Sequence, residues 1–354
     1  MIKSMRAPQY FVVGAGASTE TGHHTSQFGR RALIIGGSRA IDSIRPTLLP
    51  SLDKAGVTYH IERGDRVRKT LESVDRLTSI GREQGVELVI GCGGGAVMDC
   101  GKAVSHDIGV PYIALPTVAS VNAAGTNSAS IEGDAGPRRR WYQAVDVIIA
   151  DTAVIARAGG RYLASGMGDA LPSHYGAQLA LWRGAADVSA TRVAFADLCT
   201  ETILADGARA CRACERGQAT LEVDRVVEAV IYCSGMASFG MAGDHVLHPG
   251  RMPQCRRQAI HGEWVAFGFL VRLVLGGEFD DDIPMLAAFN RSVGLPTSFQ
   301  DFGLEEPSWE EVLEESRRIV GPEGRADYDT GCPVTAEQVC EAMFEVDYLG
   351  RTLA

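Results

Sequence analysis

Lysine is nearly missing from this chain of 354 residues: Lys3, Lys54, Lys69 and Lys102 are the only four, and arginine supplies the rest of the 34 basic residues. That bias reads as the codon usage of a GC-rich genome rather than as a site. The formal net charge of −10 speaks against nucleic acid as the main partner, because binding a polyanion needs a basic surface. The single basic run, Arg138 to Arg140, falls in a turn-like segment and reads as a solvated loop face. Long apolar runs are missing too. Leu33 to Ile35 and Val145 to Ala150 are of strand length, far short of the roughly 20 residues that a membrane helix needs, so no membrane partner is expected. No apolar stretch follows the basic residues of MIKSMRAPQY, so no secretory signal is visible and a cytoplasmic location is expected. The nine cysteines are odd in number and follow no disulfide-like spacing, which suits a reducing compartment. Cys211-Arg-Ala-Cys214 lacks a second pair and reads as two cysteines on a helix rather than a zinc or redox site.

What is present is an alternation of strand and helix signals in the first half. Ala32 to Gly36, Val57 to Ile61, Val86 to Ile90, Tyr112 to Leu115 and Val147 to Asp151 are short apolar runs. Between the first four lie helical stretches at Ile41 to Ala55, Leu71 to Gln84 and Ala96 to Asp107. This rhythm predicts a parallel sheet with helices on both faces. Ala129 to Ile131, Gly133 to Gly136 and Trp141 to Val145 read as a hairpin. From about Arg161 the strand signals fade, and Asp169 to Trp182, Val188 to Ala205, Leu221 to Ala237 and Trp264 to Val274 carry helical periodicity. The expected organisation is an α/β Rossmann-like nucleotide-binding domain over 1–157 and an all-α metal-binding domain over 158–354.

Two constellations carry chemistry. Cys92-Gly93-Gly94-Gly95 lies between a strand and a helix, with Asp99 and Lys102 following on that helix. Phosphate needs backbone N–H groups presented without Cβ atoms beside a helix N-terminus. The pattern is not the GxGxxG fingerprint, and close helix–strand packing is its competing explanation. Thr117 and Ser120, after the next strand, can offer hydroxyls to the same ligand or simply cap a helix. The second constellation spans three segments: Gly166-Met-Gly-Asp169 at an expected helix start, Asp244-His245-Val-Leu-His248 with both imidazoles on one expected helical face, and His261-Gly-Glu263. One carboxylate and two imidazoles suit Zn²⁺ and can hold Fe²⁺. The spacing is no local metal signature such as HExxH, and a lone histidine such as His174 or His248 reads first as a hydrogen-bonded structural residue.

Taken together, these segments resemble the iron-containing (group III) alcohol dehydrogenase superfamily, which shares the dehydroquinate synthase-like fold, and within it the branch of glycerol dehydrogenase and sn-glycerol-1-phosphate dehydrogenase. The ordered matches include Gly93-Gly-Gly95 with Asp99 and Lys102, Pro116 to Ser120, Ala129 to Ile131, Val147 to Thr152, Leu163 to Asp169, His245, His261 to Gly268, Val293 to Thr297 and Val334 to Glu337. The resemblance implies Asp169, His245 and His261 as metal ligands. It implies Gly93, Gly94, Gly95 and Asp99 near the cofactor phosphates, and Thr117 and Ser120 beside the dinucleotide. Iron-binding relatives carry a further His one helical turn after the Asp. Ser173 stands there in this chain, which favours zinc over iron. Glycerol branches carry an Asp where this chain has Asn122, and the glycerol-phosphate branch carries a His and an Arg where it has Val121 and Ser128. Those departures put both substrates in doubt. Gly36-Gly-Ser38 lacks the acidic residue that would accept both ribose hydroxyls, which leaves NAD and NADP open, with Arg39 a candidate phosphate partner beside Ser38.

The expected activity is therefore metal-dependent, NAD(P)-linked hydride transfer between an alcohol and its ketone, with His248, Asn122 or His174 as proton-relay candidates. The altered pocket suggests a tailoring enzyme of specialised metabolism. One form of this is a daptide-type peptide dehydrogenase that oxidises a C-terminal threonine to a β-keto acid. The substrate partner is thus a small-molecule or peptide alcohol, and a homo-oligomer is the expected assembly. A dehydroquinate synthase-like cyclase needs more lysines around a phosphorylated substrate. A non-catalytic scaffold would have no reason to keep the ligand set.

Overall fold

The computed structural model describes residues 5–133, 136–141, 144–185 and 188–352. Five of the six strands in its parallel sheet were expected: β2 (Arg31–Gly36), β3 (Thr58–Arg63), β4 (Leu88–Gly93), β5 (Tyr112–Pro116) and β8 (Val147–Asp151). The sixth, β1 (Tyr10–Gly14), escaped the sequence pattern and lies at the edge against β8. The order is β1-β8-β5-β4-β2-β3, and every pairing is parallel. Strands buried on both faces need no polar alternation, which is why β4, β5 and β8 are buried at every position. The half-buried β1 and β3 form the two edges.

Helices α1 (Thr21–Thr25), α2 (Ser38–Lys54), α3 (Leu71–Glu83) and α4 (Gly95–Ile108) belong to this part. Ile41, Ile44, Leu48 and Leu52 of α2 pack with Ile34, Ile90, Leu115 and Ile149 on one sheet face. Val74 and Leu77 of α3 and Val104 of α4 join Leu33, Val89 and Ile148 in a core on the other, and that core continues into the helices of the second half. The hairpin pairs β6 (Ser128–Gly133) with β7 (Gly136–Trp141). Its return strand starts earlier than the sequence suggested, so Arg138 to Arg140 form part of β7 rather than a turn. Their side chains lie outside the described residues.

Helix α5 (Thr152–Arg157) closes the first half, and the second contains α6 (Gly160–Ala170), α7 (Pro172–Trp182), α8 (Ala190–Glu215), α9 (Leu221–Glu228), α10 (Ser234–Ala237), α11 (His261–Gly276), α12 (Ile283–Ser292), α13 (Trp309–Val320) and α14 (Ala336–Thr352). The one departure from an all-helical half, among the described residues, is a two-residue antiparallel pair, β9 (Arg325–Ala326) with β10 (Val334–Thr335). Cys211 and Cys214 are both buried on α8, as read from the sequence. No helix among the described residues is long and apolar enough to cross a membrane.

Two glycines set close backbone approaches, one between the halves and one between α6 and α11 within the second half. A Cβ on Gly166 of α6 would stand 2.0 Å from the Ala119 carbonyl oxygen, and one on Gly262 of α11 would stand 1.7 Å from the Ser165 oxygen. Backbone sits at both contacts, so no side chain can yield to make room. We predict that Gly262→Ala destabilises the metal-free protein by about 1–3 kcal/mol or more, the range for forced overpacking. Denaturant unfolding measures it, and an unchanged midpoint would mean that α6 and α11 can part at no cost.

Candidate active site

The sheet topology supplies the first constraint. From β2 the chain moves outward to β3, whereas from β4 it moves the other way to β5, so β2 and β4 flank a topological switch point. Ligands of open α/β sheets bind in the crevice beyond the carboxyl ends of the strands at such a point. Gly36 ends β2, and Gly93 ends β4. The N-cap of α4 is Gly94, with no side chain capping the helix, so the first N–H groups of α4 remain for an anion. The glycines also have packing reasons: a Cβ on Gly94 would come to 3.0 Å from Val118, and one on Gly95 to 2.7 Å from Val121.

A cleft of about 610 Å³ opens beside this turn, lined by Lys69, Gly95, Ala96, Asp99, Ser120 to Ala123, Thr126, Ser128, Ser130, Asp169, His245, Ile260 and His261. Gly95, Asp99, Ser120 and Asn122 among the expected site residues thus line the same cleft as the three expected metal ligands. Thr117 is buried behind it, its N–H donating to the Gly93 carbonyl (3.1 Å). Ser38 is exposed at the first turn of α2, across the switch point.

Asp99 and Lys102 form a buried unit below the glycine turn. The Lys102 ammonium donates to Thr126 Oγ1 (3.0 Å) and the Ser128 carbonyl (2.8 Å) and lies 3.6 Å from Asp99 Oδ1. Asp99 Oδ2 accepts the Ser130 N–H (3.1 Å). Burial raises the Asp99 carboxyl above its usual range despite the opposing charge of Lys102. The unit ties α4 to β6 and so holds the floor of the cleft.

Asp169, His245 and His261 offer one ligand atom each, all within 4.8 Å of one another. They come from different local structures than the sequence suggested. Asp169 sits in the last turn of α6, not at a helix start, because α7 begins only at Pro172. His245 lies in a turn, not on a helix. Gly243 there adopts φ 91°, a conformation that breaks helical geometry, and Pro249 opens a separate short turn. His261 begins α11.

The Asp169 side chain is 7% exposed. Its Oδ1 lies 3.3 Å from His261 Nε2, and its Oδ2 accepts the Asn122 N–H (3.2 Å). Burial pushes its carboxyl upward, but the hydrogen bond and charge of His261, the charge of His245 and the Asn122 amide outweigh it, so the net shift is downward. A carboxylate held anionic opposite two imidazoles, whose ring centres are 4.9 Å apart, is a donor set that fits a divalent ion.

A model of the iron-containing alcohol dehydrogenase family matches residues 8–156. The chain is 31% identical to a glycolaldehyde reductase of Halobacterium salinarum and 30% identical to a glycerol dehydrogenase of Citrobacter freundii, and each alignment covers 99% of both chains. This chain belongs to the iron-containing alcohol dehydrogenase family. Solved structures agree. It superposes on the glycerol dehydrogenase of Schizosaccharomyces pombe with a TM-score of 0.86 at 26% identity, over 99% of this chain and 92% of that one. For a probable glycerol dehydrogenase of Sinorhizobium meliloti 1021 the TM-score is 0.85 at 25% identity, over 99% and 100%.

As a member of this family the chain is an oxidoreductase acting on CH–OH groups, and two of its relay candidates do not suit that chemistry. His248 is fully buried and stacks on Trp264 (ring centres 5.1 Å apart), and its Nδ1 accepts the Gly250 N–H (3.1 Å). Burial above all, with the charge of Arg251, pushes it down to about 4, so it stays neutral and is a structural residue. His174 Nδ1 meets Asp197 Oδ1 at 2.6 Å, outside the cleft lining. Asn122 does line the cleft, with its Nδ2 donating to Ser234 Oγ (2.8 Å). Ser173 lies behind that pair, 3.4 Å from the same Ser234 oxygen.

The sequence places Glu263 two residues after His261 without giving it a role, and the structure makes it the residue that steadies His261. Glu263, 1% exposed, accepts Arg161 Nε and Nη2 (2.7 and 2.8 Å), Arg257 and the Ile260 N–H (2.9 Å). Burial works to raise its carboxyl, but these donors outweigh it and bring it below the ordinary 4.5. A depressed folded-state value adds stability that is full above 4.5 and fades as pH falls through the depressed value. Glu263→Gln should therefore cost about 1.5–3 kcal/mol near neutrality, the scale of hydrogen bonds to charged groups. The gap to wild type should shrink below pH 4.5 in unfolding titrations. A gap independent of pH would assign the cost to packing instead of charge.

Proposed function

We propose that this chain is a divalent-metal-dependent, NAD(P)-linked dehydrogenase interconverting a secondary alcohol and its ketone, and that it serves as a tailoring enzyme of specialised metabolism. The observation that carries this reading is the shared cleft: Asp169, His245 and His261 converge within 4.8 Å in a cleft that Gly95 and Asp99 of α4 also line. When bound, the ion supplies Lewis acidity at the carbinol oxygen and the nicotinamide a hydride acceptor. Zinc suits the ligand set, since Ser173 offers no third imidazole, and Fe²⁺ is the alternative. Residues 1–157 are read as the cofactor half and 158–354 as the metal and substrate half.

The chain's own groups prepare the site before any substrate arrives. The Asn122 N–H holds Asp169 Oδ2, and Oδ1 already faces His261 Nε2 at 3.3 Å, so the carboxylate and the imidazole are aimed at one point before an ion binds. Val121, Ala123 and Ile260 give the cleft an apolar flank that limits water near the reacting carbon. The Asn122 side chain is neutral where glycerol branches carry a carboxylate, and it is engaged with Ser234. That favours a substrate other than glycerol, and a peptide ending in threonine is one specific candidate.

The test pairs metal analysis with an alcohol panel, offering glycerol, secondary alcohols and a threonine-ended peptide with NAD and with NADP. His261→Ala should lose the bound ion and lower kcat/KM by about 10³-fold, equivalent to about 4 kcal/mol of transition-state stabilisation. Retention of both ion and turnover would overturn the scheme. Asn122→Asp should raise kcat/KM for glycerol by about 10-fold or more, and a loss would remove the role given to that position. NADH must accumulate with the ketone, whereas a cyclase of the dehydroquinate synthase type would accumulate none.

A further inference from the structure

His245 does not meet the cleft unaided. Its Nδ1 is in short hydrogen-bond contact with Oδ1 of Asp244, the residue directly before it. Asp244 is 4% exposed at its side chain, while the His245 side chain is 52% exposed. The other oxygen, Asp244 Oδ2, accepts the Met241 N–H (3.1 Å). Both carboxylate oxygens are thus engaged, one by a fixed backbone donor and one by the imidazole. The backbone of Asp244 is pinned as well, since a Cβ on Gly268 of α11 would stand 2.3 Å from its carbonyl oxygen. A buried carboxylate needs a charge or several donors to offset its desolvation, and here the imidazole and whatever it binds provide that.

We propose that Asp244 is a positioning residue: by accepting the Nδ1 proton of His245 it selects the tautomer whose Nε2 lone pair faces Asp169 and His261 and can bind a divalent ion. This rests on the metal reading above and adds a residue to it. Histidine ligands that donate their other ring N–H to a carboxylate are held in orientation and made more basic, and removing such a partner lowers metal affinity about 10–100-fold. The geometry makes a sharper forecast for an isosteric change. In Asp244→Asn, one of the two acceptor oxygens becomes an NH₂ donor. The Met241 N–H cannot turn away, so the amide oxygen must stay with it and the NH₂ must face the imidazole. His245 then accepts at Nδ1 and carries its proton on Nε2, the tautomer that cannot bind an ion. In Asp244→Ala the ring is released but keeps both tautomers.

The experiment uses the full-length, metal-stripped protein without nicotinamide. Zinc alone is the probe, its affinity read by competition with a chelator, and nitrogen NMR of labelled histidines reads the His245 tautomer in the metal-free protein. We expect the Nδ1–H form in wild type, the Nε2–H form in Asp244→Asn, and a zinc affinity reduced about 10–100-fold or more in Asp244→Asn and less in Asp244→Ala. If Asp244 only braced the turn through Met241, the order would reverse, because asparagine still accepts that N–H and alanine does not. The reversed order, unchanged affinity in both variants, or an Nε2–H wild type each overturn the proposal. The wild-type tautomer needs no variant to fold. A wild type that takes up no zinc would remove the metal reading itself, whereas zinc uptake equal in all three proteins removes only the role of Asp244.

Discussion

The arrangement depends on one carboxylate taken out of water. Asp169 is buried at the end of α6, where an unpaired charge would cost several kcal/mol. Three separate pieces of chain answer it: the Asn122 amide from the loop after β5, His245 from the turn before α11, and His261 from the first residue of α11. Glycines stand where those pieces come together: Gly166 against the Ala119 carbonyl, Gly262 against that of Ser165, and Gly268 against that of Asp244. Packing and electrostatics therefore meet at one point, and a change in either reaches the other. Glu263 extends the same logic outward, because it clamps the start of α11 with two arginines and thereby sets where His261 begins.

The cofactor side follows from topology. The divergence of β2→β3 and β4→β5 opens the crevice, and the uncapped N-terminus of α4 faces it. The glycines of that turn satisfy two demands together. They remove Cβ atoms that would strike Val97, Val118 and Val121, and they leave backbone N–H groups at an uncapped helix start, the kind of place that takes an anion. These explanations do not compete, since the close packing is what brings the turn against the floor of the cleft. Ser38 and Arg39 lie exposed in the first turn of α2, beside the end of β2 on the same edge of the sheet.

Much of this was legible in the sequence, and the misses have physical causes. Doubly buried strands such as Val147 to Asp151 announce themselves as apolar runs, whereas β1 at the sheet edge is half exposed and carries no such run. Periodicity ran Asp169 into the following helix because α6 and α7 are nearly continuous, parted only at Leu171 before Pro172. The expected helix at His245 and His248 failed where Gly243 takes a positive φ. The candidate ligands came from ordered motif residues, while Asp244 and Glu263 stood in the same segments without a role. Their roles arise from tertiary contacts, and an acid beside a histidine is commonplace in any sequence.

His245 and His248 show how little spacing alone says about chemistry. Three residues apart on a helix they would share a face, and either would serve equally as a ligand or a relay. The turn sends them apart. His248 is driven inward against Trp264 and pushed down to about 4, so it stays neutral and inert at any ordinary pH. His245 keeps half its surface in the cleft and gains a buried carboxylate on its far nitrogen. The same side chain is thus made structural in one position and a candidate ligand in the other by what stands behind the ring. Proton movement at this site must then run through groups that reach the cleft, and Asn122 is engaged with Ser234 and has no titratable proton to give.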